Sequence, residues 1–398
     1  MAPENGLVVF CTAIGLVYGI LPILVYLSIF PEITFAHLGL LTALAISGLL
    51  LGFRISVFDR RLHGDGPRLV ISPFAFHFTT WLIFISFILI TLVTAPTIPL
   101  ISAIRGASSE ILSEERGEFL KGRTGAWIAL LYLSTFLTST LIPYSIILLY
   151  ATRSHYRHLL ASLFFIFCIS FMQKALFLNL VLPLLAYLSI SHKLPARAAV
   201  TSILGSVVII FFTTYLSLGD NEPNDARDGI SVLDYFSAAY APTNPIEYFG
   251  WRALSVPIFT ATDTLLVHSE EFGGRYLLGA SSSLIASLTG MERINIERYV
   301  FEHQFGWWNE LANANAVFIT DAFVNFGYPG VLIFGMLIGQ IFRWFKISSD
   351  VGFKSLWPLF AFGLFSASLI GMLLSNGFLY MLFHASFMKV SPSRKYHA

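Results

Sequence analysis

The sequence predicts an all-α polytopic membrane protein with about ten transmembrane helices and one large, mostly helical loop outside the membrane. The first observation is composition: of 398 residues, 56% are hydrophobic and 12% are charged. Soluble domains carry about a quarter charged residues, so a soluble core could not bury this much apolar surface. The second is a series of apolar windows near 6–30, 36–56, 70–96, 124–150, 159–173, 175–191, 197–217, 318–345, 355–374 and 377–390.

The third observation is that the apolar pattern stops between about Ser217 and Ala312, where acidic, basic and aromatic residues are interspersed. The chain therefore divides into a transmembrane bundle (1–217), a loop domain (218–317), and C-terminal transmembrane helices with a basic tail (318–398). The first apolar segment follows only MAPEN and lacks a basic region, so we expect a retained helix rather than a signal peptide. Cys11 and Cys168 lie in apolar runs and predict neither a disulfide nor a zinc site.

The distribution of lysine and arginine predicts the orientation. Among the short loops and the tail, one face carries most of them: Arg54, Arg60, Arg61, Arg68, Arg153, Arg157, Lys193, Arg197, Arg343, Lys346, Lys354, Lys389, Arg394 and Lys395. The positive-inside rule makes this face and both termini cytoplasmic. The loop 97–123, the turn at Lys174 and the large loop then share the opposite face.

Lys174 and Arg252 are the first candidates for an anion site. Lys174 lies within an apolar stretch of about 22 residues, which we divide into two short helices so that the ammonium reaches the surface. The alternative is a lysine that snorkels at a helix end. Arg252 lies among aromatic and apolar neighbours, and an arginine in such surroundings needs a partner. That partner is either a phosphate, which a guanidinium binds bidentately, or an acid such as Glu247.

Two further stretches of the large loop suggest ligand binding. The stretch FGGRYLLGASSSLIASLTG contains Arg275, and its Gly273-Gly274 pair would allow the backbone to approach a ligand closely. The stretch from Asn295 to Phe318 combines flat apolar rings with hydrogen-bonding groups, a mixture that suits sugars. Its candidate glycan-binding residues are Trp307, Trp308, Asn309 and Asn313. Glu302 or His303 there is a candidate general base, although a loop histidine is more often structural.

The beginning of the eighth span carries a polar stripe. Asp321, Asn325 and Tyr328 follow the spacing i, i+4, i+7, so they should share one helix face. An ionisable residue at a membrane helix mouth is a functional candidate, whereas the structural alternative is that Thr320 or Asp321 caps the helix. Gly327 and Gly330 should permit close helix contacts.

Several motifs are absent from the sequence. There is no His-Glu-x-x-His sequence, no cysteine and histidine cluster, no Walker-type element and no Gly-x-Ser-x-Gly. The sequence therefore predicts no metal, no cofactor and no nucleic-acid partner, and its chemistry requires a donor that arrives already activated.

The chain resembles the Wzy-type O-antigen polymerases, which join oligosaccharide repeat units in bacterial inner membranes. The resemblance is diffuse and covers most of the chain. It rests first on an arginine- and acid-rich loop from Arg105 to Arg123 and on QKALFLN at Lys174. It rests also on the arginine-bearing helix at Arg252 and the Gly-rich segment at Gly279.

The part most similar to the family is the loop exit FITDAFVNFGYPGVLIFG. Asp321 occupies the acidic place, and Asn325, Phe326, Gly327 and Gly330 fill the Asn-Phe-Gly-x-x-Gly run. The resemblance implies metal-independent glycosyl transfer from undecaprenyl pyrophosphate at the periplasmic face, together with a partner protein that regulates chain length. It implies pyrophosphate binding by Lys174, Arg252, Arg275 or Arg116, glycan binding by Asn325 with the residues above, and Asp321, Glu302 or His303 as base.

Three rival functions remain open. An O-antigen ligase would share the architecture but transfer the glycan to lipid A-core. A lipid-linked glycan transporter would be expected to line several spans with polar residues, and few of the long spans carry them. A membrane scaffold would leave Lys174 and Arg252 without a role.

Overall fold

The computed structural model describes residues 5–29, 31–57, 59–95, 97–108, 111–112, 114–115, 118, 123, 125–170, 176–191, 201, 204–205, 208, 234–240, 242, 244–308, 314 and 317–391. The N-terminal elements are α1 (Gly6–Ser28), α2 (Ile33–Arg54), α3 (Asp59–His63), β1 (Leu69–Ile71), α4 (Pro73–Thr94), α5 (Pro99–Ile104), α6 (Ala129–Ala151), α7 (Arg157–Ser170) and α8 (Leu178–Ile190). Helices α1 and α6 each contain a π-helical turn, at Gly15–Ile20 and Leu137–Leu141.

The described part of the large loop is mainly helical. Its elements are a 3₁₀ turn (Asp234–Phe236), α9 (Pro245–Gly250), a π-helical turn (Trp251–Ser255), α10 (Val256–Glu270), α11 (Ser283–Thr289) and α12 (Ile296–Phe305). After it come α13 (Phe318–Ile347), α14 (Val351–Ser355), α15 (Trp357–Gly363), α16 (Leu369–Leu373), α17 (Phe378–Phe387) and β2 (Met388–Val390). Pro257 lies in the first turn of α10, directly after the π-helical turn.

Five helices in the described residues are long and apolar enough to cross a membrane, namely α1, α2, α4, α6 and α13. Helices α7, α8 and α17 are apolar but shorter. The protein is thus a mainly helical membrane protein, as predicted. The span expected at 355–374 is broken into α15 and α16, because the Ser368 side chain accepts a hydrogen bond from Gly371 N and starts a new helix. Most of the span expected at 197–217 lies outside the described residues.

Helix α13 folds back on itself at Gly327. A Cβ atom added at Gly330 would lie 2.7 Å from the carbonyl oxygen of Ala322, eight residues earlier. Phe318 and Phe342 both contact the ring of Phe10, at centroid distances of 6.2 and 5.1 Å. A straight helix would separate those two residues by about 36 Å along its axis. We call residues 318–326 the first limb and residues 328–347 the second limb.

The fold-back has a local cause. Gly327 has φ 66° and ψ −158°, a conformation that only glycine adopts readily. Pro329 has no N–H to donate to the carbonyl of Asn325. Instead, the backbone N–H groups of Leu277 and Leu278 donate to the carbonyls of Val324 and Asn325, each at 3.0 Å. The large loop therefore satisfies the two carbonyl groups that the broken helix leaves open.

The expectation that Asp321, Asn325 and Tyr328 share one helix face is wrong for Tyr328. The turn at Gly327 intervenes, so the i+7 relationship no longer applies. Tyr328 is exposed, and its hydroxyl group lies 3.0 Å from Nε2 of His37.

The second limb packs in parallel against α2 through four glycines. Gly335 lies against Ala45, Gly339 lies against Leu49, and Gly48 and Gly52 lie against the second limb at 332–336. An added Cβ would lie 2.1 Å from the Leu49 oxygen at Gly339 and 1.9 Å from the Met336 oxygen at Gly52. Small residues spaced four apart allow such close approach of membrane helices. Sequence reasoning did not single out these two Gly-x-x-x-Gly pairs.

We expect Gly52→Leu to destabilise the folded protein by about 1–3 kcal/mol or more, because the added side chain would overlap the backbone of the second limb. Ala43→Leu, at an exposed position on the same helix, should leave stability unchanged. Thermal unfolding of the two purified variants in detergent tests this difference. Equal unfolding temperatures would mean that the two helices can move apart without loss of stability.

Basic side chains gather at the end of the bundle where the second limb terminates: Arg68 donates a hydrogen bond to Ser349 Oγ, and the Lys346 ammonium lies 5.6 Å from the centroid of the Phe53 ring. At the end where the second limb terminates, Arg343 forms an ion pair with Asp59, with 2.9 Å between Nε and Oδ2. Strands β1 and β2 pair in parallel at this end, a small sheet that the sequence did not predict. We call this the basic end, and the opposite end, at Gly327, the loop end.

Candidate functional site

A cavity of roughly 730 Å³ lies between α6, the start of α12, the first limb of α13 and α16. Ligand sites for small molecules commonly have volumes of about 300–1,000 Å³. One wall is apolar and consists of Leu133 and Phe136 from α6 with Ile370 and Leu374. Since α6 is long and apolar enough to cross a membrane, this wall lies at the depth of the membrane helices.

The opposite wall is polar. Ser281, Ser282 and Ser283 line it where the large loop meets α13, and Arg293 and Glu297 line it at the start of α12. Hydroxyl groups both donate and accept hydrogen bonds, so this wall can bind a ligand with several hydroxyl groups. A cavity with one apolar and one polar wall suits an amphipathic ligand.

Asp321 lines the cavity from the first limb and is 4% exposed. Its Oδ1 accepts hydrogen bonds from Ser281 Oγ at 3.2 Å and from Asn325 Nδ2 at 3.1 Å. Its Oδ2 is buried and has no hydrogen-bond partner among the described residues. A buried carboxylate oxygen without a partner is costly, and such groups are commonly found at functional sites. Asp321 therefore lies at the cavity wall with one buried carboxylate oxygen that no described residue satisfies.

Asn325 holds this arrangement together. Its Nδ2 donates to the backbone oxygen of Asp321 and to Ser281 Oγ, both at 2.8 Å. Its Oδ1 accepts from the backbone N–H of Gly279 at 3.0 Å. The amide thus links the first limb to the serine-bearing loop and fixes the Asp321 side chain. Asn325 is not among the residues that line the cavity, and glycan binding by this side chain stays a prediction.

The loop that meets Asn325 is strained. Leu278 has φ 50° and Gly279 has φ 93°, both in the left-handed region. A non-glycine residue there costs about 1–2 kcal/mol, and such strain tends to cluster at functional sites. The hydrogen bonds of Leu278 N and Gly279 N to Asn325 maintain this conformation.

The proposed capping role for the start of α13 is wrong. The helix begins at Phe318 after Val317, so Thr320 and Asp321 both lie within its first turns. The Thr320 hydroxyl donates to the Val317 carbonyl at 3.2 Å, and in the part of the chain that the structure describes no side chain caps the helix. The carboxylate of Asp321 is therefore available for a role other than capping.

The other candidate bases lie elsewhere. Glu302 and His303 are exposed on α12 and do not line the cavity. Trp307 and Trp308 follow α12 and are also exposed, and they contact Phe301 and Tyr299 rather than the cavity. Asn309, Asn313, Lys174 and Arg116 lie outside the described residues.

The two candidate arginines of the large loop are also outside the cavity wall. Arg252 is exposed in the π-helical turn, so the expectation that burial demands a partner for it is wrong. Arg275 is exposed as well, and its carbonyl oxygen lies 3.0 Å from Nε2 of His268. Gly273 and Gly274 have positive φ angles and end α10, which is a structural reason for glycine at both positions.

Sequence reasoning noted the serine run only as part of a Gly/Ser-rich stretch and did not select Arg293 or Glu297. Ser281 could have been selected as a candidate site residue, because it lies two residues after Gly279. Arg293 and Glu297 could not, because nothing in their local sequence indicates that α12 begins beside α13.

A second buried carboxyl, Asp263, lies between α10 and α12. Its Oδ2 accepts a hydrogen bond from Gln304 Nε2 at 2.7 Å. Burial raises the pKa of Asp263 from 3.8 to about 6, and the hydrogen bond from Gln304 partly offsets this effect.

We expect the stability conferred by Asp263 to be fully present below pH 3.8 and to be lost as the pH rises to about 6, because the unfolded chain ionises first. The loss is about 2–3 kcal/mol. Asp263→Asn retains an acceptor for Gln304 and should remove this pH dependence, which thermal unfolding between pH 4 and pH 7 measures. Glu270→Gln, at the exposed end of α10, is the control. An unchanged pH profile in Asp263→Asn would contradict the expectation.

Comparison with known proteins does not assign the chain to a family. No protein-family model, no curated protein and no solved structure matches this chain.

Proposed function

We propose that this protein is a glycosyltransferase that polymerises oligosaccharide repeat units carried on undecaprenyl pyrophosphate. The observation that carries the proposal is Asp321, which lines a cavity with one polar wall and one apolar wall and whose buried Oδ2 has no hydrogen-bond partner among the described residues. A lipid-linked sugar likewise has a polar part and an apolar part. Its hydroxyl groups suit the serine wall, and its polyprenyl chain suits the wall formed by α6 and α16.

The chemistry follows from the position of Asp321. Its Oδ2 accepts the proton of an acceptor hydroxyl group as the oxygen attacks the anomeric carbon of the donor glycan. The bond between that carbon and the pyrophosphate oxygen breaks, and undecaprenyl pyrophosphate leaves with the electron pair. Arg293, which lines the cavity, is positioned to stabilise the developing negative charge. Lys174 and Arg116 remain proposed contributors, and the reaction requires no metal.

The proposed topology makes the basic end cytoplasmic and the loop end periplasmic. The clustering of Arg68, Arg343 and Lys346 at one end supports this orientation. The substrate would then reach the cavity laterally from the periplasmic leaflet of a bacterial inner membrane, and a chain-length regulator would be a partner there.

The direct test uses purified protein with lipid-linked repeat units in detergent. Longer lipid-linked glycan and released undecaprenyl pyrophosphate are the expected products. Addition of lipid A-core as an alternative acceptor tests the ligase function. If neither longer glycan nor released carrier forms with either acceptor, the enzyme proposal fails.

A lipid-linked glycan transporter is the second candidate. The observation that favours it is the fold-back of α13, since discontinuous membrane helices often line the binding sites of transporters. It predicts movement of intact lipid-linked repeat unit across reconstituted vesicles without any change in glycan length. That result would replace the polymerase proposal.

A further inference from the structure

The segment Pro245–Ser255 exposes large apolar side chains. Ile246, Phe249 and Leu254 are 74%, 44% and 43% exposed. Ile246 and Phe249 are three residues apart in α9 and therefore lie on the same side of it. Arg252 is exposed as well, within the π-helical turn that follows. The segment thus combines an exposed apolar surface with a guanidinium group.

The opposite side of this segment is packed. Trp251 is buried and lies 5.8 Å from Phe259 and 6.1 Å from Tyr240 between ring centroids. The backbone N–H of Glu247 donates to the Asn244 side chain at 2.8 Å, which caps α9. These contacts fix which side faces outward, so the exposed apolar surface is a property of the fold.

The segment lies beside the ends of two membrane helices. Ile258, one turn after Leu254, is fully buried against Val25 of α1 and Phe35 of α2. The neighbouring surface of α1 and α2 is itself apolar and exposed, at Leu24, Leu27 and Ile33. For helices long enough to cross a membrane, such a surface faces lipid. The exposed residues of Pro245–Ser255 therefore lie at the loop end, close to two helices whose own exposed apolar residues face lipid.

We propose that Pro245–Ser255 is an interfacial segment that places Ile246, Phe249 and Leu254 at the acyl boundary and binds a phospholipid headgroup phosphate through Arg252. An apolar surface next to a cation is typical of segments that lie in the membrane interface. The guanidinium fork matches phosphate oxygens, and its stem can lie along apolar surface. Arg252 does not line the Asp321 cavity. Its proposed role is to anchor the large loop to the lipid leaflet around the cavity.

Fluorescence quenching tests the location of the segment. The variant Phe249→Cys, in a Cys11→Ala, Cys168→Ala background, carries an NBD label and is reconstituted in phosphatidylcholine vesicles with nitroxide lipids. Headgroup and shallow acyl nitroxides should quench the label. The same label at Glu271, exposed just after α10, is the control and should be quenched much less. Equal, weak quenching at both positions would overturn the proposal.

The role of Arg252 is tested in the same vesicles with no glycan substrate present. Arg252→Gln should lose headgroup quenching at position 249, whereas Arg252→Lys should retain most of it. Unchanged quenching in Arg252→Gln would show that this side chain does not bind the headgroup. Loss of polymerisation in that variant with unchanged quenching would place Arg252 in substrate binding. Because quenching requires no catalysis, failure of the polymerase proposal would leave this result unaffected.

Discussion

Replacement of Asp321 by asparagine is expected to lower the polymerisation rate by about 10²–10⁴-fold, the usual contribution of a general acid or base. Asparagine retains the oxygen that accepts hydrogen bonds from Ser281 and Asn325, so the first limb should remain folded. It replaces Oδ2, which has no hydrogen-bond partner among the described residues, by an amide nitrogen that cannot take up the proton of the acceptor hydroxyl group. The measurement is the initial rate of glycan elongation with purified, correctly folded protein.

Two control variants separate Asp321 from the other candidate bases. Glu302→Gln and His303→Ala change exposed residues that do not line the cavity and should retain the wild-type rate. If Asp321→Asn elongates glycan normally while Glu302→Gln or His303→Ala does not, then the base lies on α12. In that case the buried Asp321 carboxylate has a structural role only.

The sequence identified the central pair of this site but not its surroundings. Asp321 and Asn325 were predicted as neighbours from their four-residue spacing, and the structure joins them by a 3.1 Å hydrogen bond. Helical spacing is a local property, so it can be derived from sequence alone. Glu297, in the first turn of α12, and Arg293, three residues before the helix, reach the same cavity through tertiary packing, which their own spacing does not encode.

The fold-back of α13 shows why a hydropathy pattern can miss a break. Both limbs are apolar and helical, so the hydropathy pattern continues across Gly327 without interruption. Gly327 and Pro329 were potential signals, but membrane helices often tolerate both residue types. What distinguishes this site is the pair of N–H groups from Leu277 and Leu278, about fifty residues earlier in the chain. A long-range contact of this kind is not visible in a single sequence.

The close contact between α2 and the second limb could have been predicted in part. Gly48 and Gly52, like Gly335 and Gly339, form Gly-x-x-x-Gly pairs within apolar stretches, which is a recognised signal for helix association. The sequence does not say which two pairs meet. The sequence also does not say whether the two helices run parallel or antiparallel. The parallel arrangement follows from the contacts of Ala45 with Gly335 and of Leu49 with Gly339.

Gly327→Ala is expected to abolish the fold-back and with it most of the folded, active protein. The backbone conformation at Gly327 costs a non-glycine residue about 1–3 kcal/mol. A Cβ atom there would also lie 2.7 Å from the ring of Tyr276, so the ring or the turn must move. Because Val324 and Asn325 would then lose their partners in the large loop, Asp321 would leave the cavity wall. Yield of monodisperse protein and thermal unfolding measure the effect.

Gly290→Ala is the matched control, because Gly290 also has a positive φ but no described residue lies within 4 Å of an added Cβ. It should cost only about 1–2 kcal/mol. Adding Tyr276→Ala to Gly327→Ala should recover the part of the loss that comes from the ring contact but not the backbone strain. If Gly327→Ala is as stable and active as Gly290→Ala, then a continuous helix satisfies this chain equally well. The cavity would then owe its shape to the serine loop rather than to the turn at Gly327.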